Sequence, residues 1–172
     1  MTRRELCSWV LVLAFCATPA AGKEGQVPVN KKDPPFRYHG IGLGSTLAEV
    51  RKTLGKPLKE EPGPYEDSLG MGKILDLTYP GLKLELCQPD GHADYYVWSF
   101  EVSGADWVVV PGIRPGMTRE EVLKLFGEPL WERDDPGGET TVIYQLLERD
   151  GWYSVTVREG KVVAFGAAED WS

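Results

Sequence analysis

Residues Gly40–Leu58 read GIGLGSTLAEVRKTLGKPL, and residues Gly112–Leu130 read GIRPGMTREEVLKLFGEPL. The two segments align without a gap at an offset of 72, and 10 of their 19 positions are identical. A clear internal repeat is typical of one supersecondary unit that occurs twice along a chain. The repeat therefore predicts the architecture, and a residue that recurs in both copies is interpreted first as a structural part of that unit.

Each segment predicts a short helix whose two ends are marked. Thr46 and Thr118 are each followed three residues later by a glutamate, which is the spacing of a capping box. Gly55 and Gly127 stand where a left-handed residue commonly ends a helix, and a proline two residues later prevents continuation. Because such short helices are unstable alone, they must pack on other elements.

Apolar or alternating segments follow each helix, and glycine-containing turns separate them. We therefore expect an α+β fold of two tandem helix–three-strand (αβββ) repeats, assigned to residues 36–104 and 105–172. The strands would form antiparallel sheet, as one sheet or two abutting sheets, with both helices packed on one face. The predicted strands span residues 74–79, 82–86 and 95–102, then 140–147, 152–157 and 161–166.

The sequence leaves open how the strand that begins at Leu82 corresponds to the strand that begins at Trp152. Matching the turn glycines Gly81 and Gly151 places Leu82 opposite Trp152. Leu82 begins an alternation with apolar residues, whereas Trp152 begins one with polar residues. Either a β-bulge shifts the register of one copy, or the side chains of one strand are assigned to the wrong face.

The N-terminus predicts export. Arg3 and Arg4 precede the apolar run Trp9–Phe15, which is too short to cross a bilayer, and small residues follow. We therefore expect a signal peptide over residues 1–22 and a flexible segment over residues 23–35. Residues Leu13–Cys16 offer an alternative, because they resemble a bacterial lipoprotein box after which Cys16 would carry lipid.

Charge and cysteine content exclude several classes of function. Residues 1–22 hold two arginines and one glutamate, so residues 23–172 keep 17 basic and 25 acidic residues, a net charge of −8. Nucleic-acid binding is not expected, because it requires basic surface. Cys87 is the one cysteine after residue 22, so the predicted repeats contain neither an intramolecular disulfide nor a cysteine metal site.

The two helical segments share the pattern G-I-x-x-G-[MS]-T-x-x-E-V-x-x-x-[LF]-G-x-P, which Gly112–Pro129 carries with Met117 and Gly40–Pro57 carries with Ser45. This pattern, followed by strands, resembles the small domain of the SmpA/OmlA (BamE-like) outer-membrane assembly lipoproteins. The tandem arrangement is similar to the beta-lactamase inhibitory proteins, the BLIP-like fold. The resemblance implies a non-catalytic binding module in the bacterial envelope or outside the cell.

No motif predicts catalysis, a metal site or a cofactor. The glycines before the first helix lack the Gly-Lys-Ser/Thr ending of a phosphate-binding loop. Glu49 and Glu121 are explained by helix capping, and His39 and His92 lack the spacing of a metal-ligand set. We therefore expect a protein that is not an enzyme and that has no cofactor.

Aromatic residues on strands and loops are the candidates for binding. Trp152 shares one side of its strand with small polar residues, a composition typical of a protein-binding surface. The loop over residues 62–72 is longer than its counterpart in the second copy, and an extra loop in one copy is a common place for specificity. The candidate residues are Trp152, Trp131 and Tyr95, with Tyr65, Glu66 and Asp67 in that loop.

Together these features predict an exported, monomeric, non-catalytic module, periplasmic or secreted, that binds another protein. It would act in the manner of an inhibitor or in association with the envelope. One alternative is an outer-membrane assembly or envelope lipoprotein tethered through Cys16, which would touch a membrane only through its anchor. A second alternative is a small-ligand binding protein, which would need convergent polar groups in a pocket.

Overall fold

The computed structural model describes residues 36–63, 72–147 and 150–170. Both helices begin at the predicted threonines. The Thr46 hydroxyl accepts a hydrogen bond from the Glu49 N–H at 3.2 Å, and the Glu49 carboxylate accepts one from the Thr46 N–H at 2.8 Å. Thr118 and Glu121 form the same reciprocal pair at 3.2 and 2.7 Å. The two predicted capping boxes are therefore confirmed.

The two helices, α1 (Leu47–Leu54) and α2 (Arg119–Phe126), are eight residues long. They end at Gly55 and Gly127, whose φ angles of 74° and 81° lie in the region that favours glycine. The amide of Gly55 donates to the carbonyl of Arg51, and the amide of Gly127 donates to the carbonyl of Leu123. The sequence signals thus predict correctly where each helix begins and ends.

Eight strands form one antiparallel sheet in the order β1-β2-β3-β4-β8-β7-β6-β5. Each copy contributes four consecutive strands, and the last strands of the two copies, β4 and β8, pair at the centre. Strands β1 and β5 are therefore the two edges. The strands are β1 (Lys59–Pro62), β2 (Lys73–Tyr79), β3 (Leu82–Gln88), β4 (Tyr96–Ser103), β5 (Trp131–Asp135), β6 (Glu139–Gln145), β7 (Gly151–Arg158) and β8 (Lys161–Glu169).

The predicted fold class, two tandem helix–three-strand repeats with both helices packed on one face, is wrong. The molecule is mostly a single eight-stranded antiparallel sheet with two short helices. The prediction missed β1 and β5, whose sequences KEEP and WERDD contain no apolar alternation. Edge strands can lack that pattern, because charged side chains and proline protect an exposed sheet edge from further pairing.

The register resolves the conflict between the two copies. Tyr79 and Tyr144 are equivalent residues, because the hydroxyl of each donates a hydrogen bond to the glycine that ends the helix of its copy. Leu82 lies opposite Tyr79, and Tyr153 lies opposite Tyr144, so Leu82 corresponds to Tyr153 at an offset of 71. The match of Gly81 to Gly151 is therefore wrong by one residue, and Gly81 corresponds to Trp152. The reason is that the connection between β6 and β7 is longer than the two-residue turn between β2 and β3. A β-bulge occurs in both copies, between β3 and β4 and again between β7 and β8.

One face of the sheet, called here the inner face, supplies most of the main core. Its fully buried side chains include Leu84, Val102, Val155 and Phe165. The helix residues Val50, Val122 and Phe126 are buried in the same core. Alternate residues of each strand project to the opposite side, the outer face, since successive side chains of a strand point in opposite directions.

Candidate protein-binding face

Two tryptophans are exposed on the outer face of the second copy. Trp131 and Trp152 are 47% and 44% exposed, which is unusual for residues that carry so much apolar area. Trp131 on β5 lies opposite Ile143 on β6. Ile143 is only 7% exposed, and it lies opposite Ser154, two residues from Trp152 along β7. Trp131, Ile143 and Trp152 are called here the tryptophan patch.

The alternation along β7 explains why Trp152 is exposed. Tyr153, Val155 and Val157 are buried on the inner face, so the residues between them project outward. Trp152 lies opposite Ala168 on β8, and this small side chain leaves one flank of the indole ring open. The predicted division of β7 into an apolar side and a polar side that includes Trp152 agrees with the burial pattern.

The centre of the outer face is built from small residues. Ala164, Gly166 and Ala168 on β8 lie opposite Thr156, Ser154 and Trp152 on β7. A Cβ atom placed on Gly166 would lie 3.2 Å from the Ser154 hydroxyl oxygen, so a larger residue there would crowd its neighbour. These small side chains form a strip on β8 between the tryptophan patch and the first copy.

The outer face of the first copy is acidic. Asp76 on β2 lies directly opposite Glu61 on β1 and Glu85 on β3, so three carboxylates form a row across three strands. Partial burial raises the pKa of Glu85, and the charge of Asp76 raises it further, whereas a hydrogen bond with Ser99 lowers it. Glu61, Asp76 and Glu85 are called here the acidic row. The sequence alone does not predict the acidic row, because only strand register brings these three residues together.

The structure does not bring Tyr95 to the tryptophan patch. Tyr95 lies just before β4, is partly buried and packs against the main core. Its carbonyl accepts a hydrogen bond from the Leu47 N–H at 3.0 Å, which holds the start of α1. Its role in binding therefore stays a prediction with no spatial link to the other candidates. The remaining predicted residues, Tyr65, Glu66, Asp67 and Cys16, lie outside the described residues.

An open cleft of about 580 Å³ lies beside the segments that precede the second helix. Asp106 and Arg114 bring opposite charges to it, and both residues are exposed. Trp107 contributes a wall that is itself part of the core. Small-ligand sites usually enclose their polar groups among apolar walls, so this cleft is a weaker candidate than the outer face. Its lining residues are Tyr38, His39, Ala105, Asp106, Trp107, Val108, Arg114 and Pro115.

Cys87 is a buried thiol on the outer side of β3. It packs with Ile74 and Trp98 in a small cluster that is separate from the main core. Burial raises the pKa of Cys87 to about 11, and the charge of Glu169 contributes to the increase. Since the thiolate is the nucleophilic form of cysteine, this environment suits a packed side chain rather than a reactive one.

Within residues 36–63, 72–147 and 150–170, no three His, Cys, Asp or Glu side chains converge as metal ligands. The acidic row is therefore spread along the surface and is not gathered around a point. In the same ranges, neither helix has the length and hydrophobicity of a membrane span.

No protein-family profile matches the chain, and no curated protein sequence is significantly similar to it. The fold is similar to that of an extracellular protein containing an SCP domain from Bacillus anthracis str. Ames, solved by crystallography at 1.5 Å resolution. That similarity has a TM-score of 0.52 and 15% sequence identity. It covers 88% of this chain and 50% of the Bacillus protein, so the chain spans half the length of the protein that it matches.

These comparisons overturn the predicted resemblance to the SmpA/OmlA (BamE-like) lipoproteins and the BLIP-like inhibitory proteins. The chain instead shares its fold with part of the Bacillus extracellular protein. The shared pattern that suggested those families consists largely of helix-end signals, namely the capping threonine and glutamate, the terminal glycine and the proline. Such signals follow from the local chemistry of any short capped helix, so they do not identify a family.

Proposed function

We propose that this protein is an exported, non-catalytic module that binds another protein through the outer face of its sheet. The observation that carries this proposal is the tryptophan patch, in which Trp131 and Trp152 are about half exposed on either side of the buried Ile143. Exposed tryptophans near a packed apolar residue are the composition of binding hot spots. Isolated apolar residues on a surface need no such explanation, but these residues are grouped on one face.

A comparison of the two copies supports the proposal. At the positions of Trp131 and Trp152, the first copy has Lys59 and Gly81, by the offsets of 72 and 71. Ile143 likewise corresponds to Thr78. The same unit therefore folds without any of the three side chains of the patch. A feature that the repeat does not require for folding is a better candidate for binding than a recurring one.

The proposed location outside the cytoplasm, periplasmic or secreted, rests on two observations. Residues 1–22 have the order of a secretory signal, and the structural neighbour is described as extracellular. An anchored form through Cys16 remains the alternative location. Labelling with a fatty-acid analogue, compared between the natural chain and Cys16→Ser, would distinguish a tethered protein from a released one.

Affinity capture with matched variants tests the binding function. The full chain, Trp131→Ala/Trp152→Ala and Leu58→Ala would be used to capture proteins from envelope and secreted fractions of the source organism. Leu58 is a suitable control because it is 73% exposed and lies before β1, outside the tryptophan patch. We expect a partner that the natural chain and Leu58→Ala retain and the double variant loses. Capture that is equal for all three proteins would contradict the proposal.

A further inference from the structure

The acidic row and the tryptophan patch belong to one continuous line of residues across the sheet. Strand register places each member opposite the next, and Trp152 continues the line that begins with the acidic row. At about 4.8 Å per strand, Glu85 and Trp152 are roughly 14 Å apart. The line runs Glu61 (β1), Asp76 (β2), Glu85 (β3), Ser99 (β4), Ala168 (β8) and Trp152 (β7).

The acidic row is unfavourable for the isolated fold. Carboxylates that lie directly opposite each other on neighbouring strands repel, and Asp76 has one on each side. Lys59 relieves part of this charge by pairing with Glu61 at 2.6 Å. Lys83 is two residues from Glu85 along β3, on the same face, and lies opposite Glu101, so Lys83 is shared between two carboxylates. Among the described strand residues, the outer face of the first copy therefore carries four carboxylates against two lysines.

The second copy shows that the fold does not need these charges. The residues that correspond to Glu61, Asp76 and Glu85 are an arginine and two threonines, by the offsets of 72, 65 and 71. The two strand carboxylates on the outer face of the second copy, Asp135 and Glu139, are each paired with an arginine. Arg133 contacts Asp135 at 2.7 Å, and Arg158 contacts Glu139. Among the described strand residues, the uncompensated negative charge of the outer face therefore lies in the first copy.

We propose that the partner of the outer face is a cationic segment of another protein. Its lysine or arginine side chains lie over the acidic row, and an apolar side chain packs on the tryptophan patch. This inference rests on the protein-binding function proposed above and adds the chemistry of the partner. Charge complementarity selects the partner and its orientation, while the tryptophans contribute most of the affinity.

The small central residues make this arrangement sterically available. Ser99 and Ala168 lie between Glu85 and Trp152 on this line, so an extended segment that follows the line passes over two small side chains. An extended chain covers about 3.3 Å per residue, so the five strand intervals from Glu61 to Trp152 correspond to roughly seven or eight residues. A peptide of about twelve residues is therefore long enough to contact both the acidic row and Trp152.

Selection from a random phage-displayed library of peptides of about twelve residues tests the proposal. The full chain is the bait, and parallel selections use three variants. The first, Glu61→Gln/Asp76→Asn/Glu85→Gln, neutralises the acidic row. The second is Trp131→Ala/Trp152→Ala. The third, Glu120→Gln/Glu128→Gln/Glu159→Gln, removes the same number of charges from exposed positions outside the acidic row. Circular dichroism and thermal melting establish that each bait is folded.

We expect peptides that combine at least two basic residues with a large apolar residue. For a synthetic copy of one such peptide, neutralising the acidic row should weaken binding about tenfold at low salt, since the ion pairs between the row and the basic residues of the peptide are lost. The charge-matched control should bind like the natural chain. Raising the salt from about 0.05 M to about 0.5 M should remove most of the difference between the natural chain and the neutralised variant.

Several other results would count against a cationic partner, and they differ in what they mean for the proposed binding function. Peptides that depend on the tryptophans but bind equally to the neutralised variant would overturn the cationic partner and leave the binding function in place. A selection that enriches the same peptides on every bait, or none on the natural chain, would overturn both. Enrichment of acidic or uncharged peptides would likewise exclude a cationic segment.

Discussion

The hydroxyl of Tyr79 donates a hydrogen bond to the carbonyl of Gly55 at 3.1 Å, and so joins the end of α1 to the sheet. The second copy repeats this bond between Tyr144 and Gly127 at 3.3 Å. Each tyrosine is a buried residue of the second strand of its copy, and each glycine ends a helix. The repeat therefore includes a tertiary contact as well as the local helix signals, and this contact supports the equivalence of β2 and β6.

Removing either tyrosine hydroxyl should destabilise the fold modestly. Tyr79→Phe and Tyr144→Phe keep the packed ring but lose the bond to the helix end, so each should lower the free energy of unfolding by about 1 kcal/mol. Urea denaturation measures the change. Tyr38→Phe is the control, because Tyr38 is a partly buried tyrosine for which no hydroxyl hydrogen bond is found among the described residues. Equal stability of all four proteins would mean that water replaces these bonds at no cost.

Removing the capping threonine should lower the free energy of unfolding by a similar amount in each copy. Thr46→Ala and Thr118→Ala should each lower the free energy of unfolding by about 1 kcal/mol, because a backbone N–H at the helix start loses its acceptor. Serine at either position should retain most of the stability. The two boxes share no groups, so the double alanine variant should show the sum of the two losses by chemical denaturation. A loss confined to one helix would contradict the equivalence of the two boxes.

Neutralising Glu85 should stabilise the isolated protein near neutral pH. The pKa of Glu85 is raised in the folded state, so its ionised form destabilises the fold at pH values above that pKa. Glu85→Gln should therefore raise the free energy of unfolding at pH 7 by a few tenths of a kcal/mol, roughly the scale of one cross-strand charge pair. The gain should disappear near about pH 4, where the natural carboxyl is also becoming neutral. Paired urea titrations at both pH values would show whether the gain depends on ionisation.

The thiol of Cys87 should be unreactive until the protein unfolds. Its side chain is fully buried, and its pKa is raised to about 11, so little thiolate is present or accessible near pH 8. Thiol titration should find no reaction in the native state and one equivalent in denaturant, measured in a chain that carries Cys7→Ser and Cys16→Ser. Adding Ser103→Cys at an exposed position of β4 provides a control thiol that should react at once. Rapid native labelling of Cys87 itself would disprove this account of its burial.

Parts of the candidate surface could be predicted from the sequence, and other parts could not. The alternation along β7 indicated that Trp152 projects outward, because each residue's side is set by its neighbours in the same strand. Trp131 could be nominated by composition only, since the charged strand that carries it was not predicted. Tyr95 is a candidate for the same reason, as an aromatic residue near a strand, but in the structure it packs against the main core.

The sequence by itself determined the doubling of the unit, both capped helices and the apolar strands of each copy. These features depend on residues a few positions apart, whose steric and hydrogen-bonding preferences act locally. Only the tertiary structure decided the number of strands and the line of residues that joins Glu85 to Trp152. It also decided that Leu82 corresponds to Tyr153 and not to Trp152. Register arises from pairing between strands distant in sequence, so short-range patterns do not specify which side chains become neighbours across a sheet.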